Sequence, residues 1–292
     1  MTTRFNHMYC ALVLGLFAGI GIAPAQSTHR EISRSKEKEL SVFVDVSFGS
    51  LVLERGEKGK IEIIDFEDEN EEDNNKLSID YGISDDEGTL RIRLKKKSSR
   101  FWDDDDDSDH NHSNRKLTLK FSNALPISFD LELGAGRGDI DLSGLQVNDL
   151  KVSTGASSVT MRCDEPNPIS AESIKIESGV SKFSATNLCN TNFRRMKFSG
   201  GVGTYKLDFG GKLRRDADVK IEVGLGSVAV YLPKDLATRV LYDDNWFSSF
   251  DLDREFSKER NGVYVSDDYS EKGTKLTIQI ESGLGSVKVK RK

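Results

Sequence analysis

The chain has 292 residues, 36% of them hydrophobic, which is enough to bury a core as one or two domains. Its charged fraction of 31% exceeds the usual share of about a quarter, so much of the surface must face water. The formal net charge of −6 argues against nucleic-acid partners, because binding them relies on Lys and Arg side chains that neutralise many phosphates.

The first 25 residues have the pattern of an export signal. Arg4 supplies a positive charge, an apolar stretch begins at Cys10, and Ala-Pro-Ala at 23–25 has the small-x-small form of a cleavage site. The stretch is shorter than the run of about 20 apolar residues that a spanning helix needs. We therefore expect an exported protein, in the periplasm, on the outer surface or secreted, with no membrane span after cleavage; an uncleaved anchor is the alternative. Residues 26–39 are expected to form a polar linker.

From residue 40 onward the chain alternates apolar and polar residues, which is the period of strands with one buried face. The alternation is loose at first, in the runs VDVSFGSLVLE, KIEII, KLSIDY, TLRIRL and KLTLKF. We predict irregular β-coils over residues 40–133.

An acidic stretch, FWDDDDDSDHNHSN at 101–114, separates the last two of these runs. Carboxylates at this density suit Ca²⁺, which takes about six to eight oxygen ligands. The spacing lacks the glycines of an EF-hand loop or of nonapeptide calcium repeats. We favour a solvated hairpin loop, and Ca²⁺ is the alternative and the one cofactor considered. The calcium ligands would be Asp103, Asp104, Asp105, Asp106, Asp107 and Asp109.

Five segments of the second half repeat one phrase around a glycine. The two most alike are VKIEVGLGSVAV, from residue 219, and IQIESGLGSVKV, from residue 278. The first four glycines are 24, 22 and 23 residues apart, and the fifth follows after a longer interval. The aligned glycines are Gly155, Gly179, Gly201, Gly224 and Gly283.

Apolar residues fill the same five positions in every segment: five and three before the glycine, and one, four and six after it. We predict that these positions form the buried face, which each segment can cover only by stacking on its neighbours. The period of about 22 residues therefore predicts an all-β protein, a parallel β-helix (β-solenoid) with glycines at its bends. Regular coils are predicted over 134–233, an insertion over 234–275 and a closing coil over 276–292.

A column of lysines precedes the first four glycines by four residues. On stacked coils these side chains would lie on one outer face, about 4.8 Å apart, where they could meet phosphate or carboxylate groups of a polymer. Ser and Glu two positions further on would pair with them, so ordinary charge pairing on an exposed face is the favoured interpretation. The lysines are Lys151, Lys175, Lys197 and Lys220.

The insertion at 234–275 is rich in aromatic residues, and Trp246 and Phe247 are its candidate ligand contacts. We favour the alternative in which the aromatic residues cover the open end of the coil stack.

The mature chain would contain two cysteines, Cys163 and Cys189. Export would place them in an oxidising compartment, where a disulfide between them is one alternative and two separately buried thiols are the other. The sequence has no Cys/His spacing of the zinc type.

The phrases ISFDLELGAGRGDIDLSGLQVNDLKVSTGASSV, VGLGSVAVYLP and SGLGSVKV resemble the bacterial toast-rack or adhesin-like β-helix proteins. These are domains of unknown function related to the LiaF carboxyl-terminal domain and to the head domains of autotransporter adhesins. The resemblance covers roughly residues 40–292 and implies a right-handed parallel β-helix on an exported or envelope protein. It supplies no catalytic residues.

The sequence thus predicts a non-enzymatic, exported scaffold or adhesin-like binding module of the cell envelope, with an envelope polysaccharide or another envelope protein as partner. A calcium-dependent binding module and a carbohydrate-active enzyme are the alternatives. The enzyme would use Asp139 and Asp141, which lie on one strand face near Arg137 at a spacing that suits a carboxylate pair. Paired charges on the outside of a strand are the favoured explanation of these three residues.

Overall fold

The structure is a computed structural model that describes residues 26–67, 75–96, 115–242, 247–267, 269–270 and 273–292. This part of the chain is almost wholly β, with a single 3-10 turn at Leu188–Thr191 and no α-helix. None of its segments forms a helix with the length and apolarity that crossing a membrane requires. The acidic stretch at 101–114 lies outside the described residues.

Sixteen strands of the described residues form one sheet, which is parallel through its middle and antiparallel at its ends. The first seven are β1 (Gln26–Ser33), β2 (Glu39–Arg55), β3 (Lys60–Glu67), β4 (Asn75–Ser84), β5 (Glu87–Lys96), β6 (Lys116–Phe121) and β7 (Ile127–Asp141). The next four are β8 (Val147–Arg162), β9 (Ser173–Thr186), β10 (Arg195–Asp208) and β11 (Ala217–Leu232). The last five are β12 (Ala237–Tyr242), β13 (Ser248–Leu252), β14 (Phe256–Arg260), β15 (Val263–Ser266) and β16 (Lys275–Arg291).

The middle of the sheet consists of the long strands β2, β7, β8, β9, β10, β11 and β16, each parallel to the next. Their register places equivalent residues of the repeat side by side, so that one inner column runs Val152, Ile176, Phe198, Ile221 and Ile280. Every member of this column is at most 2% exposed. The predicted stacking of coils is therefore confirmed, and its core is a pile of like side chains.

The repeated glycines lie where each long strand bends. A Cβ at Gly201 would lie 2.9 Å from the carbonyl oxygen of Gly179 in the preceding coil. Some coils have a second glycine two residues later, such as Gly226, whose φ is +136°. Glycine is thus required at the bend because the backbones of neighbouring coils approach closely there. The positive φ is found at the second glycine, two residues later.

One of the five apolar columns was wrongly predicted to be buried. At each bend two consecutive residues face outward, the glycine and the residue after it. This break in the alternation lets the residues three before and four after the glycine both point inward, although an uninterrupted strand would put them on opposite faces. The apolar residue directly after the glycine is left in solvent, as Val180 illustrates at 65% exposed.

Antiparallel strands close the amino-terminal end. The first half of β2 pairs with β5, which forms a hairpin with β4, and the second half pairs with β6, which continues to β3 and β1. Residues 26–33 were expected to belong to a polar linker and instead form β1. Strand pairing uses backbone groups, so this polar segment can cover the edge of β3 without adding to the core.

The carboxyl-terminal end is closed in the same manner. The insertion adds β12 and β13, which lie parallel to the two halves of β16, and then the antiparallel strands β15 and β14. Phe250 stacks on Tyr242 with 4.0 Å between ring centroids and lies 5.7 Å from Tyr264. These aromatic rings of the insertion therefore pack over the last coil.

Candidate binding face of the coils

The four predicted lysines form a continuous column on the outer face. Lys151 pairs in register with Lys175, Lys175 with Lys197, and Lys197 with Lys220. Their side chains are between 38% and 46% exposed, so their ammonium groups are accessible to solvent. We call these four residues the lysine column.

Carboxylates beside the lysine column neutralise much of its charge. Lys197 and Lys220 lie 2.8 and 2.7 Å from the carboxylate of Glu222, and Lys220 also lies 3.2 Å from Glu281. Lys175 pairs with Glu177 at 2.8 Å, and Lys151 pairs with Asp130 at 3.1 Å. Lys175, Lys197 and Lys220 therefore pair with the column two residues on, as the favoured sequence interpretation expects. Lys151 instead lies closest to Asp130, its in-register neighbour in the same column.

The pairing shifts the pKa of both partners. Hydrogen bonds from Lys197 and Lys220 lower the pKa of Glu222 to about 2, and the hydrogen bond from Lys175 lowers the pKa of Glu177. Hydrogen bonds to Glu222 and Glu281 in turn raise the pKa of Lys220. These pairs therefore stay charged across the physiological pH range.

An open hollow of about 490 Å³ lies beside the column. It is lined by four cationic side chains but only one carboxylate, that of Asp218. One of the cations, Arg195, forms no salt bridge among the residues that the structure describes, although its charge interacts at longer range with the carboxylate of Asp149. The three lysines of the hollow are paired with carboxylates outside its lining, so Arg195 is its cation best placed to meet an anionic group. Its cationic side chains are Lys175, Arg195, Lys197 and Lys220.

The two carboxylates considered for catalysis bind an arginine instead. Arg162, from the next coil, lies 3.0 Å from Asp139 and 2.9 Å from Asp141. Burial opposes the shift, but hydrogen bonds from Ser143 and the ion pair with Arg162 lower the pKa of Asp141. A glycosidase acid needs a raised pKa, so this carboxylate pair has the electrostatics of a structural ion pair.

Cys163 and Cys189 are both buried and both free, so the structure has the alternative of two separate thiols and not the disulfide. Cys163 instead donates its thiol hydrogen to the carbonyl oxygen of Glu165 at 3.3 Å, while Cys189 lies in the 3-10 turn. Burial raises the pKa of each thiol to about 12, which keeps both protonated and unreactive. The two cysteines are therefore separate buried side chains, which was the other alternative from the sequence.

The remaining predicted site residues are only partly placed. Trp246 lies outside the described residues, and its neighbour Phe247 is 73% exposed at the carboxyl-terminal end of the coils. The residues proposed as calcium ligands also lie outside the described part of the chain, within which there is no cluster of side chains able to hold a metal ion. Calcium binding stays the alternative to a solvated loop, and a melting temperature that neither EDTA nor added Ca²⁺ changes would contradict it.

An exposed row of apolar residues was missed by the sequence analysis. It consists of the residues that follow the bend glycines, which pair in register from coil to coil. Five of the six large hydrophobic side chains that are exposed in the described residues belong to this row or its end. We call the row the apolar corner, and its members are Phe48, Ala135, Ala156, Val180, Val202, Leu225, Leu284 and Phe247.

The signal for this corner is present in the sequence. Glycine and an apolar residue are adjacent in every repeat, and two neighbouring residues cannot both face inward on a regular strand. On a regular strand, the outward-facing glycines Gly201 and Gly224 would be followed by an inward-facing residue. Only the bend geometry shows that this residue faces outward too.

The family model described as the N-terminal domain of toast_rack, DUF2154, matches residues 22–184. This is more than half of the chain, and the protein therefore belongs to the toast-rack family, as the resemblance of its repeats predicted. No curated protein matches the chain.

Two solved structures align with nearly the whole chain at low sequence identity. A "putative cell adhesion protein" from Clostridium sporogenes is 16% identical, covers 92% of this chain and 100% of its own, and superposes with a TM-score of 0.47. A "putative adhesin" from Bacteroides fragilis is 14% identical, covers 91% and 97% of the two chains, and has a TM-score of 0.39.

Proposed function

We propose that this protein is an exported, non-enzymatic scaffold of the cell envelope or cell surface that binds an acidic envelope polymer along its outer face. The observation that supports the proposal best is the hollow beside the lysine column, which Arg195 and three of the lysines line. Negative groups on an extended polymer would meet cations repeated from coil to coil, at the spacing of about 4.8 Å between strands.

Binding would exchange partners within an existing charge network. Each lysine of the hollow already has a carboxylate within 3 Å, so a polymer anion would compete with Glu177 or Glu222 for it. Arg195 has no carboxylate at salt-bridge distance among the described residues and interacts with Asp149 only at longer range. We therefore expect Arg195 to contribute more to the affinity than any single lysine, and the binding to weaken as salt screens the charges.

The paired state of Asp139 and Asp141 supports a binding role over catalysis. A hydrolase or lyase needs a carboxyl group or a base that is free to exchange protons with substrate. Arg162 holds both carboxylates in ion pairs on an open strand face. The expected outcome with a polysaccharide is therefore retention without turnover.

The test measures binding of an acidic and a neutral polysaccharide, polygalacturonate and dextran, to the purified protein. We expect polygalacturonate to be retained at low salt, with no shortening of the polymer, and dextran to pass through. The variant Arg195→Gln/Lys197→Gln should bind polygalacturonate at least tenfold more weakly. The control Lys58→Gln/Lys288→Gln removes the same charge elsewhere and should bind normally.

Two results would contradict the proposal. Equal weakening by both double variants would mean that only net charge matters, and shortened polymer would mean that the protein is an enzyme.

A further inference from the structure

The apolar corner is a continuous surface that the proposed binding face does not use. Its five large members at the carboxyl-terminal end are strongly exposed: Val180 65%, Val202 44%, Leu225 46%, Leu284 55% and Phe247 73%. Seven intervals of about 4.8 Å separate Phe48 from Phe247, so the row is about 34 Å long. A straight apolar row of this length on a highly charged protein indicates an interaction surface.

The two sides of the corner carry different chemistry. Two residues before each bend glycine lies an acidic or hydroxyl side chain, and three residues after the glycine lies a basic or hydroxyl side chain. On the first side the column is Glu132, Ser153, Glu177, Ser199, Glu222 and Glu281. On the second side it is Arg137, Ser158, Lys182, Thr204, Ser227 and Ser286.

The two sides match in four of the six coils, and the coils with Glu222 and Glu281 carry a serine on the second side. The coil that places Glu132 on the first side places Arg137 on the second, and the coil with Glu177 has Lys182. The two coils with Ser153 and Ser199 on the first side have hydroxyl groups on the second side. Within the described residues Arg137 and Lys182 have no ion-pair partner, so both are available to a carboxylate from outside.

We propose that the apolar corner is covered by the apolar corner of a second copy of this chain, related by a two-fold axis parallel to the corner. Such an axis places each coil beside the same coil of the second copy and exchanges the two sides. Glu177 of one copy then faces Lys182 of the other, Glu132 faces Arg137, and each Val180, Val202, Leu225 and Leu284 packs on its own equivalent. The interface is isologous, as two-fold symmetry requires.

The charge pattern selects this arrangement over the others. A two-fold axis perpendicular to the corner would keep each side with its like, so the carboxylates of the two copies would face one another and so would the cations. An anionic lipid surface would be repelled by Glu177, Glu222 and Glu281 along the first side. Only the parallel pair joins the apolar rows and opposite charges at once.

Sedimentation equilibrium of the purified protein tests the proposal. We expect a dimer, and we expect Val180→Lys to weaken association at least tenfold, because the two lysines would meet across the axis. Val180 is solvent-exposed, so the melting temperature of the dissociated variant should match that of wild-type protein diluted to the monomer. The control Thr160→Lys adds the same charge four residues past Ala156 of the corner column and should leave the dimer intact.

A charge swap tests the orientation. Glu177→Lys and Lys182→Glu should each weaken the dimer, and the double variant should restore it, since opposite charges again face each other. A wild-type monomer at about 100 μM, or a dimer that Val180→Lys leaves unchanged, would overturn the proposal. A monomer that co-sediments with phosphatidylcholine vesicles, and loses that binding with Val180→Lys, would also overturn it and assign the corner to lipid.

Discussion

The strands in the middle of this sheet and those at its ends are paired in different ways. In the middle, β7 to β11 each have a parallel neighbour on both sides, and a repeated sequence is sufficient because every coil offers its neighbour the same surface. At the ends the neighbour is missing, and antiparallel strands such as β4 and β14 close the stack. The difference shows that the repeat encodes stacking, whereas ending the stack takes non-repeated sequence that protects an edge.

The two regions also differ in how completely their core side chains are buried. In the middle the ring of Phe198 is fully buried and lies 5.7 Å from Phe183 and 5.1 Å from Tyr205. At the amino-terminal end Leu77 and Ile79 of β4 are only half-buried against the core. We therefore expect the middle to carry most of the stability and the ends to open first.

The largest expected effect is the loss of a core ring from the middle. Phe198→Ala should lower the free energy of unfolding by about 3–5 kcal/mol, because the cavity lies between coils that cannot collapse without losing register. Phe250→Ala, in the carboxyl-terminal end, should cost about 1–2 kcal/mol, since that ring is partly in solvent. Urea unfolding measures both, and equal losses would remove the distinction between the two regions.

A buried ion pair at the amino-terminal end provides the next test. Arg115 lies 3.0 Å through Nε and 2.5 Å through a terminal nitrogen from the two carboxylate oxygens of Asp65, and both residues are buried. Asp65→Asn should cost about 3 kcal/mol, because it replaces a charged, two-point contact of a buried guanidinium with a neutral amide. Asp86→Asn, which breaks an exposed pair with Lys38, should change stability by less than about 1 kcal/mol. Similar urea midpoints for the two variants would contradict the assignment.

Glycine substitutions should separate bend positions from end positions. A Cβ at Gly226 would overlap the carbonyl oxygen of Gly203 and would require an L-residue to hold a φ of +136°. We expect Gly226→Ala to cost about 2–3 kcal/mol. Gly82→Ala, in β4, meets nothing within 4 Å and should stay within about 0.5 kcal/mol of wild type. Thermal melts give the comparison, and tolerance at Gly226 would contradict the close approach of coils.

The smallest effect is the pH dependence of the outer face. The pKa of Glu222 is lowered to about 2 in the folded protein, so its pairs stabilise the fold above the ordinary pKa of about 4.5 and are lost as the pH falls toward 2. The advantage of wild type over Glu222→Gln, under about 1 kcal/mol, should therefore shrink between pH 5 and pH 2. A difference that is constant over this range would show that the pairs contribute nothing.

Most of the middle could be predicted from the sequence, because a two-residue alternation repeated at fixed intervals has few structural solutions. The inner columns through Val152 and Phe198 and the lysine column follow from that argument alone. The apolar corner does not, since hydrophobicity identifies Val202 as apolar but only the bend shows that it faces outward.

The ends and the candidate sites were less predictable. Nothing in the polar segment 26–33 indicates a strand, because its place is set by the free edge of β3. The arginine that binds both Asp139 and Asp141 is Arg162 of the next coil, and not Arg137, which is their neighbour in sequence. These ion pairs therefore depend on the register between coils. The two cysteines likewise could be assigned only once their coils were placed.

The stacking of coils can be tested most directly by electron paramagnetic resonance on spin labels at Asp130 and Gln279. These residues are far apart in sequence but lie in one outer column, separated by five strand intervals. With labelled protein diluted into unlabelled protein, the account predicts a distance distribution centred near 24 Å, from five intervals of about 4.8 Å. A broad distribution, or one centred well beyond 35 Å, would mean that the coils are not stacked in this order.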